Sequence, residues 1–168
     1  LNSVAYNKPI FEKLGMTPPK NLPDMKEKAA RISKEIDGMY GIGVRGSRSW
    51  ATIHPGYLSG FANYGATDFV MEDGKLKAAM NSAEGKAFTK LWVEMIQESG
   101  PRDWSTYTWY QVGTDLGAGA SGMIFDADIL GYFMNGEGNK EAGNIAYAPF
   151  AANPEASAPT PNVWIWSL

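Results

Sequence analysis

Two short apolar stretches decide the fold of this chain: YGIGVR at residues 40–45 and SGMIFD at residues 121–126. Each has the length and the apolar character of a buried strand, and each ends in one charged side chain. In residues 23–36 and 83–98, apolar side chains instead recur every three or four positions, which predicts amphipathic helices. Helices that alternate with short apolar strands predict an α/β fold, with a mainly parallel sheet flanked by helices.

Capping and turn residues place the shorter elements. Asn7 is a helix cap, so a helix is expected from there to about residue 14. The acidic-glycine pair Asp73-Gly74 predicts a hairpin turn between two short strands. We further predict a helix over residues 52–64, a short helix ending near residue 116, a helix over residues 126–134 and a strand over residues 145–150.

The composition excludes several classes of function. The chain has 168 residues, the size of one domain, and a net charge of −3, so it lacks the basic surface of a nucleic-acid-binding protein. It contains no cysteine, which excludes thiolate metal sites and a cysteine nucleophile. Its one histidine, His54, leaves little room for metal or triad chemistry. We therefore predict no catalytic residue, no metal site and no cofactor.

The charged residues that end the two decisive strands are the first candidates for a binding site. Arg45 follows one strand and Asp126 follows the other, and in parallel sheets ligands bind beyond the carboxyl ends of strands. An arginine fork and a carboxylate form a complementary set of donors and acceptors for the paired hydroxyls of a sugar or polyol. The alternative is that Arg45 and Asp126 bind each other as a structural ion pair.

Tryptophan supplies the flat apolar surface that such a ligand also needs. Trp50 lies in the loop that follows Arg45. Trp164 and Trp166 are two apart on a predicted strand and share one face, so one can stack on a ligand while the other packs. The predicted ligand-binding residues are Arg45, Trp50, Asp126, Trp164 and Trp166.

The order of short motifs along the chain carries a family resemblance. The motifs are YNKPIFEKLG at residues 6–15, YGIGVRG at 40–46, NSAEG at 81–85, GASGM at 119–123 and WIWSL at 164–168. In this order they resemble the extracellular solute-binding proteins of family 1, which serve ABC importers of sugars and polyols. Arg45, Trp50, Asp126 and the paired tryptophans are most similar to members that bind polyols.

The resemblance implies a fold, a function and a set of partners. Residues 1–168 would form a single lobe, the C-terminal lobe of a two-lobed (type II) solute-binding protein whose N-terminal lobe is absent here. The protein would be a non-enzymatic receptor outside the cytoplasmic membrane, periplasmic or at the cell surface. It would close two lobes around a sugar or polyol and deliver it to the transmembrane permease subunits. Two alternatives remain: a carbohydrate-active enzyme domain that uses Asp126, and a protein-interaction module without a small ligand.

Overall fold

A computed structural model describes residues 2–49 and 53–156 of the chain. The strands are β1 (Asn2–Asn7), β2 (Tyr40–Gly43), β3 (Phe69–Glu72), β4 (Lys75–Ala78), β5 (Ser121–Ala127) and β6 (Ile145–Ala148). The helices are α1 (Lys8–Lys13), α2 (Leu22–Glu35), α3 (Ser59–Asn63), α4 (Ala83–Ser99), α5 (Trp109–Gly117) and α6 (Asp128–Met134). A π-helical turn over His54–Leu58 precedes α3, and a 3₁₀ turn over Trp104–Thr106 precedes α5.

Among the described residues, the main sheet has four strands in the order β2-β5-β1-β6. Strand β2 pairs parallel to β5, whereas β1 pairs antiparallel to both β5 and β6. Strands β2, β5 and β6 therefore run in one direction, as expected for a mainly parallel sheet, and β1 runs the opposite way between two of them. The carboxyl ends of β2, β5 and β6 consequently meet at one edge of the sheet, together with the start of β1.

Helices cover both faces of this sheet. On one face α2 and α4 pack against the strands, with Ile32, Met95 and Met123 fully buried between them. On the other face α5 and α6 form a second core that includes Val112, Leu130 and Ile124. This is the α/β layer arrangement that the alternating helix and strand patterns predict. No helix in the described part of the chain is both long and apolar enough to cross a membrane.

Most local elements form where the sequence predicts them. The Asn7 side chain accepts a hydrogen bond from the Ile10 N–H and caps α1. Helices α2 and α4 lie within one residue of their predicted ends, at residues 22–35 and 83–99. The hairpin β3-β4 turns at Asp73 and Gly74, whose φ angles are both positive, as a type I′ turn requires.

The expected helix over residues 126–134 is wrong at its beginning. Asp126 belongs to β5, where it lies opposite Ser3 of β1, and α6 begins two residues later at Asp128. Pairing with β1 keeps the chain extended through Ala127, because ladder hydrogen bonds and a helical turn exclude each other. Strand β6 also ends earlier than predicted, at Ala148, because Pro149 has no N–H to donate to a ladder.

The contact between α2 and β2 leaves no room for a side chain at Gly41. A Cβ atom there would lie 2.0 Å from the carbonyl oxygen of Ala29 in α2. At Gly43, on the same strand, the nearest atom is the Ile124 side-chain Cγ2 at 3.2 Å, which can shift.

We predict that Gly41→Ala lowers the free energy of unfolding by about 3 kcal/mol, because the new methyl group meets helix backbone. Gly43→Ala is the matched control and should cost about 1 kcal/mol, since only side chains must move. Urea unfolding of both variants measures the difference. Equal stability of the two variants would contradict the close approach of α2 to β2.

Candidate functional site

Arg45 and Asp126 meet at the carboxyl edge of the sheet. Asp126 lies near the end of β5, and Arg45 follows the parallel neighbour β2 by two residues. The Arg45 Nε donates to Asp126 Oδ2 at 2.8 Å, and Nη2 donates to Oδ1 at 2.5 Å. The Ala127 main-chain N–H also donates to Oδ1, at 2.6 Å. The two predicted residues therefore form a bidentate ion pair with each other.

The pair is almost closed to solvent. The Asp126 side chain is 1% exposed and the Arg45 side chain 11% exposed. Burial raises the pKa of the Asp126 carboxyl, and the Arg45 guanidinium and the Ala127 N–H act in the opposite direction. Both carboxylate oxygens accept charge-assisted hydrogen bonds, so the fork has the geometry of an ionised pair held at a fixed orientation.

Tyr107 holds the loop that follows Arg45. Its main-chain carbonyl accepts hydrogen bonds from the N–H groups of Gly46 and Ser47, at 3.1 and 3.0 Å. Its phenol donates to Oδ2 of Asp115 in α5 at 2.8 Å, and burial raises the pKa of that carboxyl. The loop after β2 is thereby attached to α5, which restricts the directions in which the Arg45 side chain can point.

Two buried polar atoms lie at the start of β1, on the same edge. The Ser3 hydroxyl and the Asn2 side-chain oxygen have no hydrogen-bond partner among the described residues. Ser3 lies directly opposite Asp126 in the β1-β5 register. The Asn2 amide nitrogen, in contrast, donates to the Pro55 carbonyl at 2.6 Å and to the Ser59 hydroxyl. Buried polar atoms of this kind are usually satisfied by water or by a ligand group.

Exposed apolar side chains begin the two helices that follow Tyr107 and Asp126 in the chain, at positions that the sequence analysis did not select. Trp109 and Tyr110 begin α5, two and three residues after Tyr107, and their rings lie 4.2 Å apart between centroids. Ile129 is the second residue of α6 and is about half exposed. The sequence feature that identifies Trp109 as a candidate is the capping box of Thr108 and Gln111. It places the indole at a helix start instead of in the core.

The remaining predicted site residues cannot be compared with the structure. Trp50, Trp164 and Trp166 lie outside the described residues, so their placement beside Arg45 and Asp126 stays a prediction.

A cleft of about 510 Å³ opens at the end of the edge strand β6. Its walls are residues 17–21, which precede α2, and residues of the segment 147–156, which follows the strand. Proline and alanine form much of the lining. The volume lies within the range of small-molecule pockets. The carboxyl edge therefore includes a concave surface at β6, the end of the sheet opposite to β2.

The geometry does not support catalysis by Asp126. A general acid or base must reach the proton that it transfers, whereas this carboxylate is buried and binds Arg45 through both oxygens. Within the described residues there is no group of three or more histidine, aspartate or glutamate side chains that could hold a metal ion. The arrangement is suited to ligand binding by hydrogen-bond donors that are held in a fixed orientation.

Comparison with known proteins places the chain among binding proteins. The sequence model of the family described as bacterial extracellular solute-binding protein matches residues 2–168. An erythritol/L-threitol-binding protein of Mycolicibacterium smegmatis is 39% identical over 168 residues, covering 99% of this chain and 35% of the relative. A mannitol-binding protein of Pseudomonas aeruginosa is 25% identical over 150 residues, covering 86% of this chain and 34% of the relative.

A solved structure shows the same fold. The solute-binding protein of an ABC transporter from Agrobacterium vitis S4, crystallised with D-mannitol, superposes with a TM-score of 0.83 at 24% identity. The alignment covers 91% of this chain and 37% of that protein. The chain thus spans about a third of the length of the curated relatives that it matches.

We predict that Arg45→Met lowers the free energy of unfolding by about 3–5 kcal/mol, because Asp126 then stays buried without its partner. The pKa of Asp126 rises further in this variant. Since the folded variant keeps the proton to a higher pH than the unfolded chain does, its stability should fall as the pH rises above about 4.

The double variant Arg45→Met with Asp126→Leu should recover most of that stability, because an apolar pair replaces the buried charges. Urea unfolding between pH 4 and pH 8 measures both variants. If the single variant were as stable as the wild type at pH 8, the ion pair would not be buried as described.

Proposed function

The chain belongs to the family of bacterial extracellular solute-binding proteins, and we propose that it forms the C-terminal lobe of the substrate receptor of an ABC importer. In this proposal a second lobe closes over the carboxyl edge, and the closed receptor delivers its ligand to the permease subunits. The receptor acts outside the cytoplasmic membrane, in the periplasm or at the cell surface. The family match along residues 2–168 is the observation that carries the proposal.

We propose a sugar or polyol as the ligand, and among these a short acyclic polyol fits best. The relative with 39% identity is named for erythritol and L-threitol, and a more distant one for mannitol. An acyclic polyol offers a row of neighbouring hydroxyl groups but no rigid ring face, so its recognition depends mainly on hydrogen bonds. A guanidinium has five N–H groups in a fixed plane, which suits neighbouring hydroxyl oxygens.

Within this site Arg45 and Asp126 act as one unit. Arg45 is the group that approaches the ligand, and Asp126 contributes by fixing the plane of the guanidinium through two hydrogen bonds. Trp50, Trp164 and Trp166 remain proposed ligand contacts on the evidence of sequence alone. Trp109 at the start of α5 joins them as a candidate because it is exposed close to the loop that carries Arg45.

The full-length protein that contains this chain should bind a polyol saturably and without turnover. Isothermal titration calorimetry with erythritol, L-threitol, D-mannitol and ribitol tests this directly. If the folded full-length protein bound none of these polyols and no common sugar, the proposal that it is a receptor would be refuted. Glycoside hydrolysis that disappears in Asp126→Asn would instead favour the enzyme alternative.

The variant Arg45→Met with Asp126→Leu should weaken polyol binding about 10-fold to 150-fold, the value of one charge-assisted hydrogen bond. This double variant separates binding from folding because its stability should be close to that of the wild type. Arg31→Met with Glu35→Leu, which removes an exposed ion pair on α2, is the matched control and should bind normally. If the double variant bound polyol with wild-type affinity, Arg45 and Asp126 would not be part of the binding site.

A further inference from the structure

Tyr147 connects the edge strand β6 to the first residue of α6. Its phenol donates a hydrogen bond of 2.6 Å to the main-chain carbonyl of Asp128. Burial raises the pKa of this phenol, and the nearby Asp128 carboxylate raises it as well, so the donating O–H form persists at physiological pH. The bond joins two segments that are 19 residues apart in sequence.

Because Gly131 has no side chain, the Tyr147 phenol has room to reach the Asp128 carbonyl. A Cβ atom at Gly131 would lie 2.6 Å from the Tyr147 hydroxyl oxygen and 3.0 Å from the Ala5 Cβ in β1. Helix α6 therefore lies directly on β1 at this residue, and the tyrosine side chain passes across the space that a larger residue would fill. Any side chain at residue 131 must displace the phenol from Asp128.

The N-cap of α6 supplies no side-chain hydrogen bond, and the acidic residue of its first turn is Asp128. Ala127 occupies the N-cap position and has no side chain that could accept from the first N–H groups of the helix. Asp126 lies immediately before this cap and is bound to Arg45. The first turn of α6, with Ile129 exposed on it, therefore begins two residues from the ion pair.

We propose that Tyr147 is a positioning residue of the polyol site, which it serves by fixing the first turn of α6 beside the Arg45 and Asp126 pair. This inference rests on the proposed function. Loss of the phenol oxygen releases the Asp128 carbonyl, and the helix start then samples several orientations. A ligand that needs one of these orientations binds more weakly, although the core remains packed.

The test compares Tyr147→Phe with Tyr132→Phe in the full-length protein. Tyr147→Phe removes only the hydroxyl group, and should lower the affinity for erythritol or D-mannitol about 3-fold to 10-fold. It should also speed hydrogen exchange at the amides of residues 129–132 and leave exchange in α2 and α4 unchanged. Tyr132 lies on the same helix and is 69% exposed, so Tyr132→Phe should change neither quantity.

Gly131→Ala gives an independent route to the same effect, because its methyl group displaces the phenol while the tyrosine is still present. Wild-type affinity in Tyr147→Phe, with a wild-type protein that binds polyol, would overturn this inference alone. Equal weakening by Tyr147→Phe and Tyr132→Phe would also overturn it, since a general effect of the helix surface would then explain the loss. No polyol binding by the wild type would refute the proposed function and the inference together.

Discussion

The buried ion pair between Arg45 and Asp126 is the interaction on which the carboxyl edge of this fold depends. A charge that is 1% exposed must be paired, so the ends of β2 and β5 are constrained to lie where the fork can form. Such a pair adds little net stability compared with apolar residues of the same size. In the proposed function, the pair at this sheet edge holds the guanidinium as a fixed hydrogen-bond donor for the ligand.

The sequence correctly predicted the structural elements that short-range residue patterns determine. The Asn7 cap, the apolar stripe of residues 83–98 and the positive φ angles required at Asp73 and Gly74 all depend on a few neighbouring residues. These features need no information about the rest of the chain, and the structure confirms them.

The features that the sequence did not reveal depend on distant partners. Asp126 stays in β5, and not in the following helix, because Ser3 pairs with it across the sheet from the start of the chain. The reversed direction of β1 is likewise a property of the whole sheet. In the sequence, Tyr147 is an ordinary strand residue. Its contacts with Gly131 and the Asp128 carbonyl exist only because α6 packs against β6 in the folded chain.

The rule that the carboxyl ends of parallel strands meet was enough to predict that Arg45 and Asp126 approach each other, but not how they divide their hydrogen bonds. In the structure the carboxylate is turned entirely towards the arginine and the main chain, so this edge presents a donor. A polyol hydroxyl both accepts and donates. In the proposed receptor its donated hydrogen bonds must therefore end on acceptors that a second lobe would supply, since the Ser3 hydroxyl at this edge is buried. In the proposed function, a half-site of this kind would gain its full affinity only when another surface supplies the acceptors, and this requirement supports the proposal of a receptor that closes two lobes around its ligand.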